Sequence, residues 1–161
     1  MGHVLAYEGL AREAVHLWKF GRAWYLSEPL ADLLIPFLER LPDVFKGAPL
    51  TFIPPHPWRL LQKDFHPPLL LARALSRRTG RRVIPLLLKK GFRRPQSSLP
   101  RARRLTNVKH TLAIRPGVAL PEAAVLLDDV TTTGATLAEA LRVLGRAGVQ
   151  HLAALTLART P

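Results

Sequence analysis

Cysteine is absent from this 161-residue chain, which excludes disulfides and any zinc site built on thiolates. Asparagine occurs once and glutamine three times, against 15 prolines. Few deamidating amides and many loop prolines are a compositional hint of a heat-adapted source. Long hydrophobic runs are also missing: a stretch such as "VIPLLL" (83–88) is far too short to cross a bilayer. The N-terminus shows no charged leader followed by an apolar segment, so no secretory signal is expected and the sequence points to the cytoplasm. Acidic residues are scarce, 11 against 24 Lys and Arg, and none lies between Asp64 and Glu122.

The bases, by contrast, are concentrated. Fourteen of them fall between Arg73 and Arg115, while the remaining ten nearly cancel the eleven acids. The formal net charge of +13 is therefore regional. A regional excess favours a polyanionic partner over a uniformly solvated surface. The rival explanation, an arginine-rich genome decorating exposed helices, does not account for the loss of every acid over so long a stretch.

The length suits one domain with a sizeable core, and no internal repeat or low-complexity linker divides it. Periodicity predicts a helix over 8–20, with Leu10, Ala14, Leu17 and Trp18 on one face, ended by Gly21. A second helix is expected over 27–41, with Ser27 as N-cap, Pro29 in its first turn and Pro36 kinking it or ending it early. These helices would form an N-terminal layer over 1–48, with the core in 49–161. In that core, 49–57 reads as a strand entering a proline-rigid loop, and 68–80 as a helix closed by Gly80. Residues 81–90 read as a buried strand in which Pro85 argues for an edge or a bulge. Residues 91–107 read as a long basic loop, of the kind that is usually functional. Strands over 109–114, 123–128 and 151–158 and a helix over 134–147 complete the pattern. Alternating strands and helices imply an α/β fold with a mainly parallel central sheet flanked by helices.

The most informative segment is "AAVLLDDVTTTGATLAEAL" (123–141). An apolar run, two acids, small polar residues and then an amphipathic helix describe a strand–turn–helix at the carboxyl edge of a parallel sheet, where ligands bind in open α/β folds. The unpaired amides and positive dipole end of the helix attract an anion. Small side chains let the backbone close around it, Gly134 permits a positive φ, and Thr131, Thr132, Thr133 and Thr136 add hydroxyl donors. No Walker loop and no G-x-G-x-x-G fingerprint occurs in the chain. Asp128 and Asp129 have no use touching a phosphate. A sugar's width away, however, they would accept from vicinal hydroxyls or hold a hydrated Mg²⁺. A bland alternative is a capped strand–helix turn with Asp129 or a threonine as N-cap.

"VLLDDVTTTGAT" resembles the thirteen-residue signature of the type I phosphoribosyltransferases, which binds the ribose 5-phosphate part of phosphoribosyl pyrophosphate (PRPP). That resemblance implies a phosphoribosyltransferase-like fold. It assigns the ribose hydroxyls to Asp128 and Asp129, with Asp129 as the catalytic candidate. The 5-phosphate falls to Thr131, Thr132, Thr133, Gly134, Ala135 and Thr136. Further segments narrow the match: "YEG" (7–9), "HLWKF" (16–20), "IPPHPWRL" (53–60), "QSSLPRARRLTNV" (96–108) and "LTLART" (155–160) resemble the ComF family in order and spacing. Members of that family are phosphoribosyltransferase-like proteins associated with DNA uptake in natural transformation. The likeness covers almost the whole chain and implies PRPP and Mg²⁺ as ligands, single-stranded DNA as a partner, and contact with DNA-uptake proteins.

Within it, Gln96, Leu99, Arg104 and Asn107 match a family pattern, and "PPHPWR" takes the place of the loop facing pyrophosphate. His56, Arg59 and Arg104 are thereby candidate pyrophosphate contacts. Arg93, Arg94, Arg101, Arg103 and Arg104 are candidates either for a lid over PRPP or for a nucleic-acid backbone, with Phe92 nearby for stacking. Trp18, Trp24 and Trp58 are further stacking candidates, burial being the expectation for at least two of them. Two departures stand out. Family members often begin with a four-cysteine zinc module, which this chain lacks. The family's Arg-Gly-Phe-Asn-Gln stretch is here Lys63-Asp64-Phe65-His66-Pro67, which weakens the usual contacts of that loop. His56, Asp64 and His66 also form a conceivable metal set, although their irregular spacing among prolines favours turn structure. The readings left open are a PRPP- and DNA-binding protein, a working phosphoribosyltransferase with a nitrogenous acceptor, and a nucleic-acid-binding accessory with a vestigial sugar-phosphate site.

Overall fold

The computed structural model describes residues 2–21, 23–55, 66–90 and 111–160. Its centre is a four-stranded sheet whose neighbouring strands all run parallel. In chain order the elements are β1 (Gly2–Ala6), α1 (Gly9–Phe20), α2 (Ser27–Asp32), α3 (Ile35–Glu39), β2 (Leu50–Phe52) and α4 (Pro67–Thr79). They continue with β3 (Leu87–Lys89), β4 (Leu112–Ile114), β5 (Ala123–Thr131), α5 (Ala135–Arg146) and β6 (His151–Arg159). The sheet order is β1-β6-β5-β2, and β3 and β4 form a separate antiparallel pair. The expectation of an α/β fold with a parallel sheet flanked by helices is thus met.

Strand alternation divides the core. On one face of β5 and β6, Val125, Leu127, Leu155 and Leu157 pack with Val15 and Trp18 of α1, Leu30 of α2 and Leu71 and Leu75 of α4. On the other, Ala124, Leu126 and Ala154 pack with Leu137, Ala140 and Leu144 of α5, together with Leu87 of β3 and Leu112 of β4. A sheet covered on both faces explains why β5 reads as an unbroken apolar run.

Several expectations need correction. The N-terminal segment is not purely helical: β1 pairs with β6 at the sheet edge. In α1 the buried face carries Val15 and Trp18, while Leu10 is 83% and Leu17 49% exposed. The helix has two apolar stripes, and the one holding the indole is the one that packs. The 27–41 helix is interrupted at residues 33–34 and resumes as α3, with Pro36 in its first turn, where its missing N–H costs nothing. Ser27 is not a cap but lies inside α2, and its Oγ accepts from Trp18 Nε1 at 2.9 Å. The 81–90 strand breaks at Pro85: Val83 forms one parallel bridge to Leu50, and only Leu87–Lys89 pairs as a strand. Gly80 closes α4 at φ 70°, the left-handed conformation glycine adopts without strain.

Candidate functional site: the turn between β5 and α5

β5 ends where the carbonyl of Thr131 accepts from the Thr160 amide at 3.0 Å, so the chain leaves the sheet at Thr132. Gly134 sits at φ 74° and ψ 1°, which turns the backbone directly into α5. The first helical carbonyl in use is that of Gly134, accepting from Ala138 N–H at 2.8 Å, and Ala135 N–H meets Thr133 Oγ1 at 3.3 Å. The amides of Thr136 and Leu137 belong to the first turn and have no intrahelical acceptor. Thr132 and Thr133 are exposed, Thr131 is buried, and Gly134, Ala135 and Thr136 are half-buried. The six-residue stretch 131–136 therefore combines a left-handed glycine with first-turn amides that have no intrahelical acceptor.

Asp128 and Asp129 occupy the last turns of pleat before this loop, each 9% exposed. Alternation sends them to opposite faces of β5. Asp128 shares its face with Leu126 and the α5 packing, and Asp129 shares its face with Leu127 and the α1/α4 packing. Asp128 Oδ1 accepts from Asp129 N–H at 2.9 Å, and Asp129 Oδ1 from Val130 N–H at 2.6 Å. Burial, followed by the neighbouring Asp129 carboxylate, pushes Asp128 up to about 8. Directly across the ladder, Thr156 pairs with Asp128, and its fully buried Oγ1 has no hydrogen-bond partner.

Two neighbours of Asp129 were not placed beside it from the sequence: Lys19 was not a site candidate, and His66 was considered only as a metal ligand with His56 and Asp64, both of which lie outside the described residues. Lys19, from the last turn of α1, places Nζ 2.6 Å from Asp129 Oδ2. It lies within "HLWKF", a segment singled out for resemblance only; no local pattern announces a pairing between residue 19 and residue 129. His66, just before α4, stands edge-on to Phe52 with ring centroids 5.4 Å apart. Its buried Nδ1 has no partner. Burial depresses His66 to about 4, partly offset by the field of Asp129, so the ring is neutral.

No group of three or more His, Cys, Asp or Glu side chains converges on a metal position among the described residues. Three of the four carboxylate oxygens of the acid pair already have partners in the bonds above. That set fits Mg²⁺ only in its usual mode with substrate phosphates, where one or two carboxylates suffice. His56, Arg59, Asp64, Trp58, Phe92, Arg93, Arg94, Gln96, Leu99, Arg101, Arg103, Arg104 and Asn107 lie outside the described residues.

Part of the basic block serves the fold. Arg77 pairs with Glu28, Arg78 pairs with Asp32 at 2.9 Å, and both tie α4 to α2. Arg81 donates to the carbonyls of Phe45 and Ala48 at 2.6 and 3.0 Å. The acids missing from the block are thus supplied, for two arginines, by α2. Of the tryptophans, Trp18 is buried and Trp24 is exposed. Phe20 at the end of α1 and Trp24 and Tyr25 in the following turn are exposed, and the outer face of α1 borders an open groove of about 630 Å³ lined by Arg12, His16 and Leu17.

Fold and turn together define the class: an α/β protein with a parallel sheet and a glycine-turned strand–turn–helix at its carboxyl edge. No family model matches the chain. At a finer level the chain is similar to competence protein ComFC of Streptococcus pneumoniae, 26% identical over 156 residues. The match takes in 97% of this chain and 66% of that protein's length. No helix among the described residues is long and apolar enough to cross a membrane.

Proposed function

We propose that this is a ComF-like protein of phosphoribosyltransferase fold that binds the ribose 5-phosphate moiety of PRPP at the β5–α5 turn. On this reading it acts in the cytoplasm in DNA uptake and also binds single-stranded DNA, with uptake proteins as partners. One observation carries the proposal: two buried carboxylates near the end of β5 are followed, within five residues, by a left-handed glycine and the open amides of a helix N-terminus. Hydroxyl acceptors followed by anion donors match a phosphorylated pentose from ring to phosphate. The 5-phosphate goes to residues 131–136 and the ribose hydroxyls to Asp128 and Asp129. Asp128 and Asp129 are the residues that would hold Mg²⁺, which would supply charge neutralisation to the pyrophosphate. The similarity to ComFC supports the assignment to DNA uptake.

Binding is the conclusion here, and turnover is not part of it. The altered segment at Lys63-Asp64-Phe65-His66-Pro67 replaces residues of the loop that resembles a pyrophosphate contact. The test is calorimetric titration with PRPP and Mg²⁺ on the wild type and on Asp128→Asn/Asp129→Asn. Saturable heat that the double variant abolishes is expected, and a wild type that evolves none removes the proposal.

A further inference from the structure

We infer that Lys19 is a ligand-binding residue of this site, a cation that selects a pyrophosphorylated pentose over a singly phosphorylated one. The inference rests on the phosphoribosyl reading above and assigns a residue that the β5–α5 signature does not contain.

The argument starts from the two faces of β5. The open amides belong to α5, which packs on the Asp128 face, whereas Asp129 and Lys19 lie on the face covered by α1 and α4. A pentose whose phosphate sits at the α5 amides crosses the carboxyl edge of β5 over the acid pair. Its far substituent then arrives on the α1/α4 side. A pyrophosphate there meets the Asp129 carboxylate, and the repulsion between them is strong in a partly desolvated site. Beside the Mg²⁺ of that reading, a cation belonging to the protein between the two relieves this repulsion.

Lys19 stands at that position. Its Nζ is 2.6 Å from Asp129 Oδ2, and its side chain keeps 22% exposure, so the ammonium is anchored yet reachable. An ammonium has three donors, and Asp129 Oδ2 takes one. The other two are available to phosphate oxygens without breaking the ion pair. Partial burial also leaves this charge less screened by salt than the exposed arginines of the basic block. The neutral His66 on the same side adds no charge of its own.

The experiment compares two ligands on three proteins. Dissociation constants for PRPP and for ribose 5-phosphate are measured at fixed Mg²⁺ on the wild type, Lys19→Met and Lys19→Gln. Lys19→Gln keeps a donor for Asp129 while removing the charge, and so preserves the test if Lys19→Met fails to fold. Charge-assisted hydrogen bonds predict a roughly ten- to hundredfold loss for PRPP. Ribose 5-phosphate, lacking the second anionic group, should weaken by less than about threefold by the same reasoning. Equal losses for both ligands would mean that Lys19 acts only by placing Asp129 and would overturn the inference, as would no loss for either. A wild type that binds neither ligand fails earlier, at the phosphoribosyl reading itself.

Discussion

Thr156 of β6 lies opposite Asp128 of β5, on the same face of the sheet, and its hydroxyl is sealed in the core without a hydrogen-bond partner. An unsatisfied buried hydroxyl costs about 1–3 kcal/mol, so Thr156→Val, which keeps the shape and removes the polar atom, should leave the ligand-free protein as stable or more stable. Chemical denaturation measures this as an unchanged or raised midpoint. A clear loss of stability would show that the hydroxyl is bonded to Asp128 in solution.

Stability should depend on pH through two groups with opposite signs. Asp128 is raised from its ordinary 3.8 to about 8, so the folded protein retains a proton that the unfolded chain releases. Its contribution is complete below pH 3.8 and is lost as pH rises to about 8. His66 is lowered from 6.5 to about 4, so its contribution is present above pH 6.5 and is lost as pH falls to about 4. The two slopes oppose each other below 6.5, and only the Asp128 slope survives above it. Thermal melts of the wild type should therefore fall between pH 6.5 and 8, and Asp128→Asn should flatten that limb. A melting temperature that rises with pH over this window contradicts the assignment.

The buried pair of Trp18 and Ser27 joins α1 to α2 through the 2.9 Å bond from Nε1 to Oγ. Ser27→Ala leaves a fully buried indole N–H unsatisfied, at about 1–3 kcal/mol. Denaturation curves should shift by that amount with an unchanged slope. A shift near zero would mean that the indole finds another acceptor.

The basic segment 93–104 should dominate nucleic-acid binding by charge. Arg93, Arg94, Arg101 and Arg104 changed together to Ala should lower the slope of log affinity against log salt by about one per lost phosphate contact. Fluorescence anisotropy with labelled single-stranded DNA at several salt concentrations reads the slope. An unaltered slope would move the contact elsewhere, the exposed Phe20, Trp24 and Tyr25 being one alternative surface.

What the sequence revealed was local. β5, the turn and α5 were legible because a continuous apolar run, a glycine and a helical stripe each specify backbone state within a few residues. β1 was not: five residues at a sheet edge carry too little pattern, and their pairing with β6 depends on residues 153 positions away. The packed face of α1 was placed only in part: Trp18 was expected on it and is buried, but Leu10 and Leu17 were expected beside it and are exposed, because periodicity cannot weigh them against Val15 without knowing what lies beneath. The ion pair between Lys19 and Asp129 was invisible for the same reason, since it exists only once α1 is laid against the sheet. The acid pair was foreseen as a pair, but not its division between two faces, which follows from β5 continuing as strand through Thr131.

Backbone amide spectra during titration with ribose 5-phosphate test the central claim most directly. A phosphate bound at the turn should shift the amides of Thr133, Gly134, Ala135 and Thr136 strongly and saturably, with smaller changes at Asp128 and Asp129. If those amides stay fixed while the ligand binds, or if the shifts gather at the α1 groove instead, the β5–α5 turn is not the phosphopentose site.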